Sequence, residues 1–188
     1  MSSQHISQFG LNFRRVEAGN DEEKLRVFRN LHHVKIEMFY QEVISKESHS
    51  KWFRTLDRAR NYYFIYSLGA EDIGIVNLKN IEFETRIGEY GILVANQTFL
   101  GSHVNIAAVL FIYEYAFATL GLERLKAHIL PSNEKAIRMN VSLGFKLADT
   151  NESLYHLSKD DYVQTKRRFE RLFSREQTSR LIRSYDNS

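Results

Sequence analysis

Cysteine is absent from this 188-residue chain, and proline occurs once. Without thiols there is no disulfide framework, no thiolate metal site and no cysteine nucleophile. Any acyl transfer must therefore use another nucleophile or pass directly to its acceptor. No apolar run approaches the roughly 18 residues that a membrane-spanning helix needs. The polar start, Met1 to Gly10, has no signal-peptide core, so the chain reads as soluble and cytoplasmic. Repeats, low-complexity segments and obvious linkers are missing too. Charge of one sign is scarce, with a net charge of +3.

What is present is a core. Hydrophobic residues make up 43% and aromatics 13%, too much for a disordered chain and about right for one domain with an appendage. Most of the net positive charge lies late, where Lys159, Lys166, Arg167, Arg168, Arg171, Arg175, Arg180 and Arg183 stand against fewer acids. This tail reads as a solvated helix face rather than a nucleic-acid or membrane surface.

Periodicity orders the elements. Leu11 to Glu17 alternates like a strand, Glu22 to His33 and Ser45 to Arg58 read as helices, and Tyr62–Leu68, Asp72–Phe83 and Ile87–Val94 form an antiparallel meander. Val104 to Leu120 is a long apolar helix stopped at Gly121. A strand from Glu123 to Leu130 follows, halted by Pro131. Asn133 to Leu143 is a helix closed by Gly144, and Phe145 to Leu157 gives two more strands. Lys159 to Ile182 is an amphipathic helix with Phe169, Leu172 and Phe173 on one side.

Two stretches carry chemistry. Phe99-Leu100-Gly101-Ser102-His103-Val104 is a glycine-containing loop running into a helix, whose free N–H groups and positive dipole end suit a pyrophosphate. Leu125 to Phe145 reads LKAHILPSNEKAIRMNVSLGF, with Asn133, Ala136 and then Leu143-Gly144-Phe145 at set offsets. That pattern resembles the signature of the GNAT acetyltransferase superfamily, in which an Asn opens the last helix and a Gly-Phe pair closes it. Tyr115-Ala116-Phe117 and Leu120 to Leu125 resemble it as well. The resemblance spans roughly residues 12 to 157 and places the acetyltransferase domain at 11–158, with 159–188 as a basic helical extension.

The resemblance implies an α+β, three-layer fold: a mixed, splayed sheet between helices, with an extra C-terminal helix. It also implies acetyl-CoA as co-substrate and no metal. The pantetheine arm would lie in the splay, against backbone of Leu93 and Val94. Gly101, Ser102, His103 and Val104 would offer N–H groups to the pyrophosphate, and Asn133 would reach the arm from the other side. Glu89 is the first candidate base and His128 the second. The loop departs from the family pattern, with Thr98, Gly101 and His103 where Gln or Arg, Gly, and Gly or Ala are usual. Asn140 stands where many members have a tyrosine acid, leaving water, Tyr113 or Tyr115 to protonate the thiolate.

Phe28-Arg29-Asn30, Met38-Phe39-Tyr40, Ile44-Ser45, His49 and Trp52-Phe53 resemble, in that order, acetyltransferases of nucleotide-linked amino sugars, in particular the UDP-4-amino-sugar type of the pseudaminic acid pathway. By position Met38 and Phe39 would cover the base, Arg29 and His49 would meet phosphates, and Trp52 would line the pocket. Taken singly, each apolar member also fits a core position at helical spacing. Two alternatives stand beside this acceptor. An acetyltransferase of peptide amines, of the ribosomal-protein N-terminal type, predicts an open groove with acidic lining. A degenerate GNAT-fold module would keep the fold without the cofactor. The tail helix offers Phe169, Leu172 and Phe173 to a second copy, so a homodimer is one expectation.

Overall fold

The computed structural model describes residues 5–170. Its spine is one eight-stranded sheet in the order β1-β2-β3-β4-β5-β6-β8-β7. β1 (His5–Gln8), β2 (Leu11–Arg15), β3 (Tyr62–Leu68), β4 (Glu71–Glu82) and β5 (Ile87–Val94) follow one another antiparallel. β6 (Arg124–His128) joins β5 in parallel, and β8 (Leu154–Ser158) and β7 (Lys146–Asp149) complete the sheet. The mixed, three-layer architecture is the one the sequence implies.

Strand alternation divides the core in two. Phe64 and Tyr66 of β3 face α4 (His103–Glu114), whose residues from Val104 to Tyr113 are buried except Ile106. Phe111 of α4 stacks on Phe13 with ring centroids 3.6 Å apart, and truncating such a ring costs about 3–5 kcal/mol. Tyr63 and Ile65 turn to the other face, under α1 (Asn20–Asn30) and α3 (Lys46–Thr55), where Leu25, Phe53, Ile75 and Leu93 form a second cluster. Arg14 of β2 clasps Asp72 of β4 at 2.6 and 2.8 Å, and two ion pairs tie α1 to this couple: Lys24 joins the Asp72 carboxylate and Asp21 lies 3.2 Å from Arg14 Nε.

Boundaries follow local chemistry. Ser45 caps α3 by accepting from Ser48 N, and Asn133 caps α5 (Glu134–Ser142) by accepting from Ala136 N. Gly144 ends α5 with φ +99, and a Cβ there would stand 2.8 Å from Thr165 Oγ1. The first helix ends sooner than its periodicity suggests, because Leu31 turns extended before the short α2 (His32–Lys35). The long central helix changes to a π-helical turn over Tyr115–Thr119.

α6 begins at Lys159, and the described residues end within it at 170. Phe169, expected to face a second copy, is buried in the chain's own core. Leu172 and Phe173 lie outside the described residues. Among the described residues, no helix is long and apolar enough to cross a membrane.

Candidate active site

β5 and β6 are zipped for only part of their length. Ile87, Gly88 and Glu89 pair with Arg124, Leu125 and Lys126, and then the strands part. β5 runs on to Val94 with only β4 beside it, and β6 runs on to His128 with only β8. Ala95 N donates to Ile73 O across β4, so by alternation Leu93 also turns its backbone to β4, while Ile92 and Val94 face the gap. The Val94 carbonyl confirms this direction, since His33 Nε2 bonds to it at 3.0 Å. Gln97 holds the other ring nitrogen of His33 at 2.9 Å.

The far end of the gap is the start of α4. Asn105, 4% exposed, braces the loop before it: its Nδ2 donates to Phe99 O and its Oδ1 accepts from Tyr66 Oη. Ser102 caps the helix by accepting from Val104 N, and its own N–H donates to Phe99 O. Gly101 has φ +76, and nothing stands within 4 Å of where its Cβ would be. A loop with an open, side-chain-free face at a helix N-terminus suits a diphosphate. His103 opens the helix with its Nε2 buried and unpartnered among the described residues.

Charged groups gather where the strands part. Glu89 Oε1 lies 2.8 Å from Lys79 Nζ and 3.5 Å from His128 Nδ1, and Asn80 Nδ2 donates to Oε2 at 3.0 Å. Burial works against the Glu89 charge, but the Lys79 hydrogen bond and charge, Asn80 and His128 outweigh it and hold the carboxyl below its usual value. Glu89 is thus a carboxylate at neutral pH, and a weak base. Lys126 and His156 stand opposite one another beside this group, and burial with Arg124 and Lys126 nearby pushes the His156 pKa down.

On the other face of β5 lies a dry, polar trio. The hydroxyls of Tyr90 and Tyr113 are buried facing one another, and the Asn140 Oδ1 is buried without a partner among the described residues, around the Phe145 ring. Burial pushes both tyrosine pKa values up. Tyr115 instead packs among Tyr62, Phe64 and Phe111, away from the gap.

A family model described as acetyltransferase (GNAT) domain matches residues 11–146. The chain belongs to the GNAT acetyltransferases. A relative from Campylobacter jejuni named acetyltransferase PseH is 27% identical over 143 residues, covering 73% of this chain and 86% of that one. The apo structure of FdhC, described as a nucleotide-linked sugar GNAT, superposes with TM-score 0.74 at 22% identity, over 92% of this chain and 100% of that one. The spermidine N-acetyltransferase from Vibrio cholerae in complex with CoA and spermine superposes with TM-score 0.72 at 17% identity, over 82% of this chain and 98% of that one. The chain is an N-acetyltransferase of GNAT type, a family that uses acetyl-CoA. The open Gly101 loop, the α4 N-terminus and the β5 edge at Ile92, which has no strand beside it, fit that co-substrate.

Glu89 and His128 are brought together, and Gly101, Ser102, His103 and Val104 do form the loop at the helix start. Val104 N and Ser102 N are engaged within the loop, leaving Gly101 as its open point. Leu93 turns its backbone into the sheet, and the edge residue the sequence did not single out is Ile92. Asn133 spends its carbonyl oxygen on the α5 cap, and its Nδ2 remains as a donor.

On the acceptor side Trp52 stands edge-on to Tyr63 with centroids 5.7 Å apart, Met38 packs on the second core cluster, and Phe39 is 61% exposed. Arg29 Nη2 donates to Tyr40 O, while Nη1 is buried without a partner among the described residues. Burial pushes the Arg29 pKa down. His49 is a correction. It is 5% exposed, bonds Glu22 O through Nε2 at 3.0 Å and packs on Trp52 and Phe53, so it ties α3 to α1 and does not face a phosphate. Burial pushes its pKa down, which disfavours a cationic role. Lys79, Asn80 and Asn77 were missed, because a single polar residue in an apolar strand carries no local signal.

Proposed function

We propose that the chain moves the acetyl group of acetyl-CoA onto the primary amine of a nucleotide-linked amino sugar. The observation that carries this is Arg29: a half-buried guanidinium with one nitrogen unpartnered, beside the exposed apolar patch of Ile36, Phe39 and Tyr40. A buried cation without a counter-charge is costly, and a diphosphate supplies two anionic oxygens at the right spacing for its fork. The exposed rings give a flat base an apolar face. The FdhC neighbour is described as a nucleotide-linked sugar GNAT, which agrees with this acceptor.

A peptide-amine acceptor calls for acidic walls. Beside Glu89, itself paired, stand Lys79 and Lys126, and Tyr63 with Trp52 lies along the same face. The charge pattern favours an anionic acceptor.

Glu89 orients His128 through Nδ1, which leaves Nε2 as the proton acceptor. The amine nitrogen bonds to the acetyl carbon, the carbon–sulfur bond breaks, the amine proton passes to His128, and CoA leaves as thiolate. We assign residues 11–158 to the catalytic unit, onto which β1 and α6 pack. Inhibition kinetics test the acceptor: uridine diphosphate should compete with the amine and not with acetyl-CoA. Competition against acetyl-CoA alone would remove the nucleotide-sugar reading.

A further inference from the structure

One acceptor atom beside the charged cluster has no use in the fold. Asn77 of β4 stands opposite Gly91 of β5, with Tyr63 of β3 on its other side. The next position along both strands is the Lys79–Glu89 pair on the same face, about 7 Å away by strand rise. Glu89's charge reaches Tyr63, whose pKa burial and that charge push up to about 12. Gly91 has no side chain, and the Asn77 carboxamide lies across the hollow: a Cβ on Gly91 would stand 3.0 Å from Oδ1 and 3.2 Å from Nδ2. Oδ1 is buried and has no hydrogen-bond partner among the described residues. Buried polar atoms are nearly always paired, so an unpaired one at a site asks for a ligand.

Acceptors are what this wall lacks. Lys79 and Lys126 only donate, Glu89 is shared by Lys79, Asn80 and His128, and His128 Nε2 is reserved for the transferred proton. An attacking amine must be neutral, with its N–H bonds held and its lone pair directed at the thioester. A carboxylate in that role would favour the ammonium form and hide the lone pair, whereas a neutral amide oxygen accepts an N–H without that penalty.

We propose that Asn77 Oδ1 accepts an N–H of the acceptor amine, over the hollow left by Gly91, and so orients its lone pair. This rests on the amine-acceptor function above. Steady-state kinetics on the full chain, with a panel of amino-sugar nucleotides, polyamines and peptides, test it. With the best amine of that panel, Asn77→Leu lowers kcat/KM about 10- to 100-fold, mostly in kcat, with the acetyl-CoA KM unchanged. Asn77→Asp, equal in shape, keeps turnover at high pH, with its kcat/KM profile displaced upward by about one pH unit because the new charge holds the amine protonated. Gly91→Ala, which pushes the carboxamide aside, behaves like Asn77→Leu. Asn77→Leu matching the wild type, or Asn77→Asp as impaired as Asn77→Leu at every pH, overturns this proposal and leaves the function standing. A wild-type enzyme that acetylates no amine in the panel overturns both.

Discussion

Glu89 Oε1 and His128 Nδ1 stand 3.5 Å apart on the two strands that separate just beyond them. The contact joins a carboxylate fixed in its charged form by Lys79 to an imidazole 34% exposed at the gap. Two residues considered separately as bases therefore stand as a pair.

His128→Ala should lower kcat at least 100-fold, since a positioned proton acceptor contributes about 10²–10⁴. Glu89 has a depressed pKa, so it stays charged below its ordinary 4.5 and sets no limb of the pH–rate profile near neutrality. Glu89→Gln should lower kcat by a smaller factor. A loss of at least 100-fold in Glu89→Gln, with His128→Ala fully active, would reverse the assignment.

Gly101→Val places a branched side chain at φ +76, in the open space against which the pyrophosphate would rest. Strain of that kind costs about 1–2 kcal/mol. Acetyl-CoA affinity by calorimetry should fall more than tenfold, while amine binding is unchanged.

Arg29→Ala should raise the KM for a nucleotide sugar about 10- to 100-fold, as expected for losing a charge-assisted hydrogen bond, with the acetyl-CoA KM unaltered. Arg29→Lys should recover little of the loss, because an ammonium cannot reproduce the fork. Parallel assays with an amine lacking phosphate should show no difference between the variants.

Asp72→Asn removes the anion shared by Arg14 and Lys24 and should cost about 2 kcal/mol of stability at neutral pH. The Arg14 and Lys24 bonds hold the Asp72 pKa below its ordinary 3.8 despite partial burial. Its contribution is therefore complete above that value and is lost as pH falls through the lowered one. Urea melts should show the gap between wild type and variant closing only in acid.

The meander β3–β5, the central helix and the glycine stops were legible because each writes a local period or a cap. β1 was not, since His5–Gln8 is short and polar and exists by pairing with β2. The start of α4 was readable from Gly101, and its bracing by Asn105 was not, because that bond reaches Tyr66 from a distant strand. His49 misled for the same reason: only the fold turns it onto the Glu22 carbonyl. Which of Leu93 and Val94 faces the gap, and that Asn77 sits opposite Gly91, depend on register, which a lone strand does not encode.

The most direct measurement is the mass of a UDP-linked 4-amino sugar after incubation with acetyl-CoA and the enzyme, beside the same nucleotide bearing a hydroxyl in place of the amine. The account predicts one acetyl group gained by the amino sugar, matched by an equal amount of free CoA, and none by the hydroxyl compound. An unchanged sugar nucleotide, with a peptide amine acetylated under the same conditions, would contradict it.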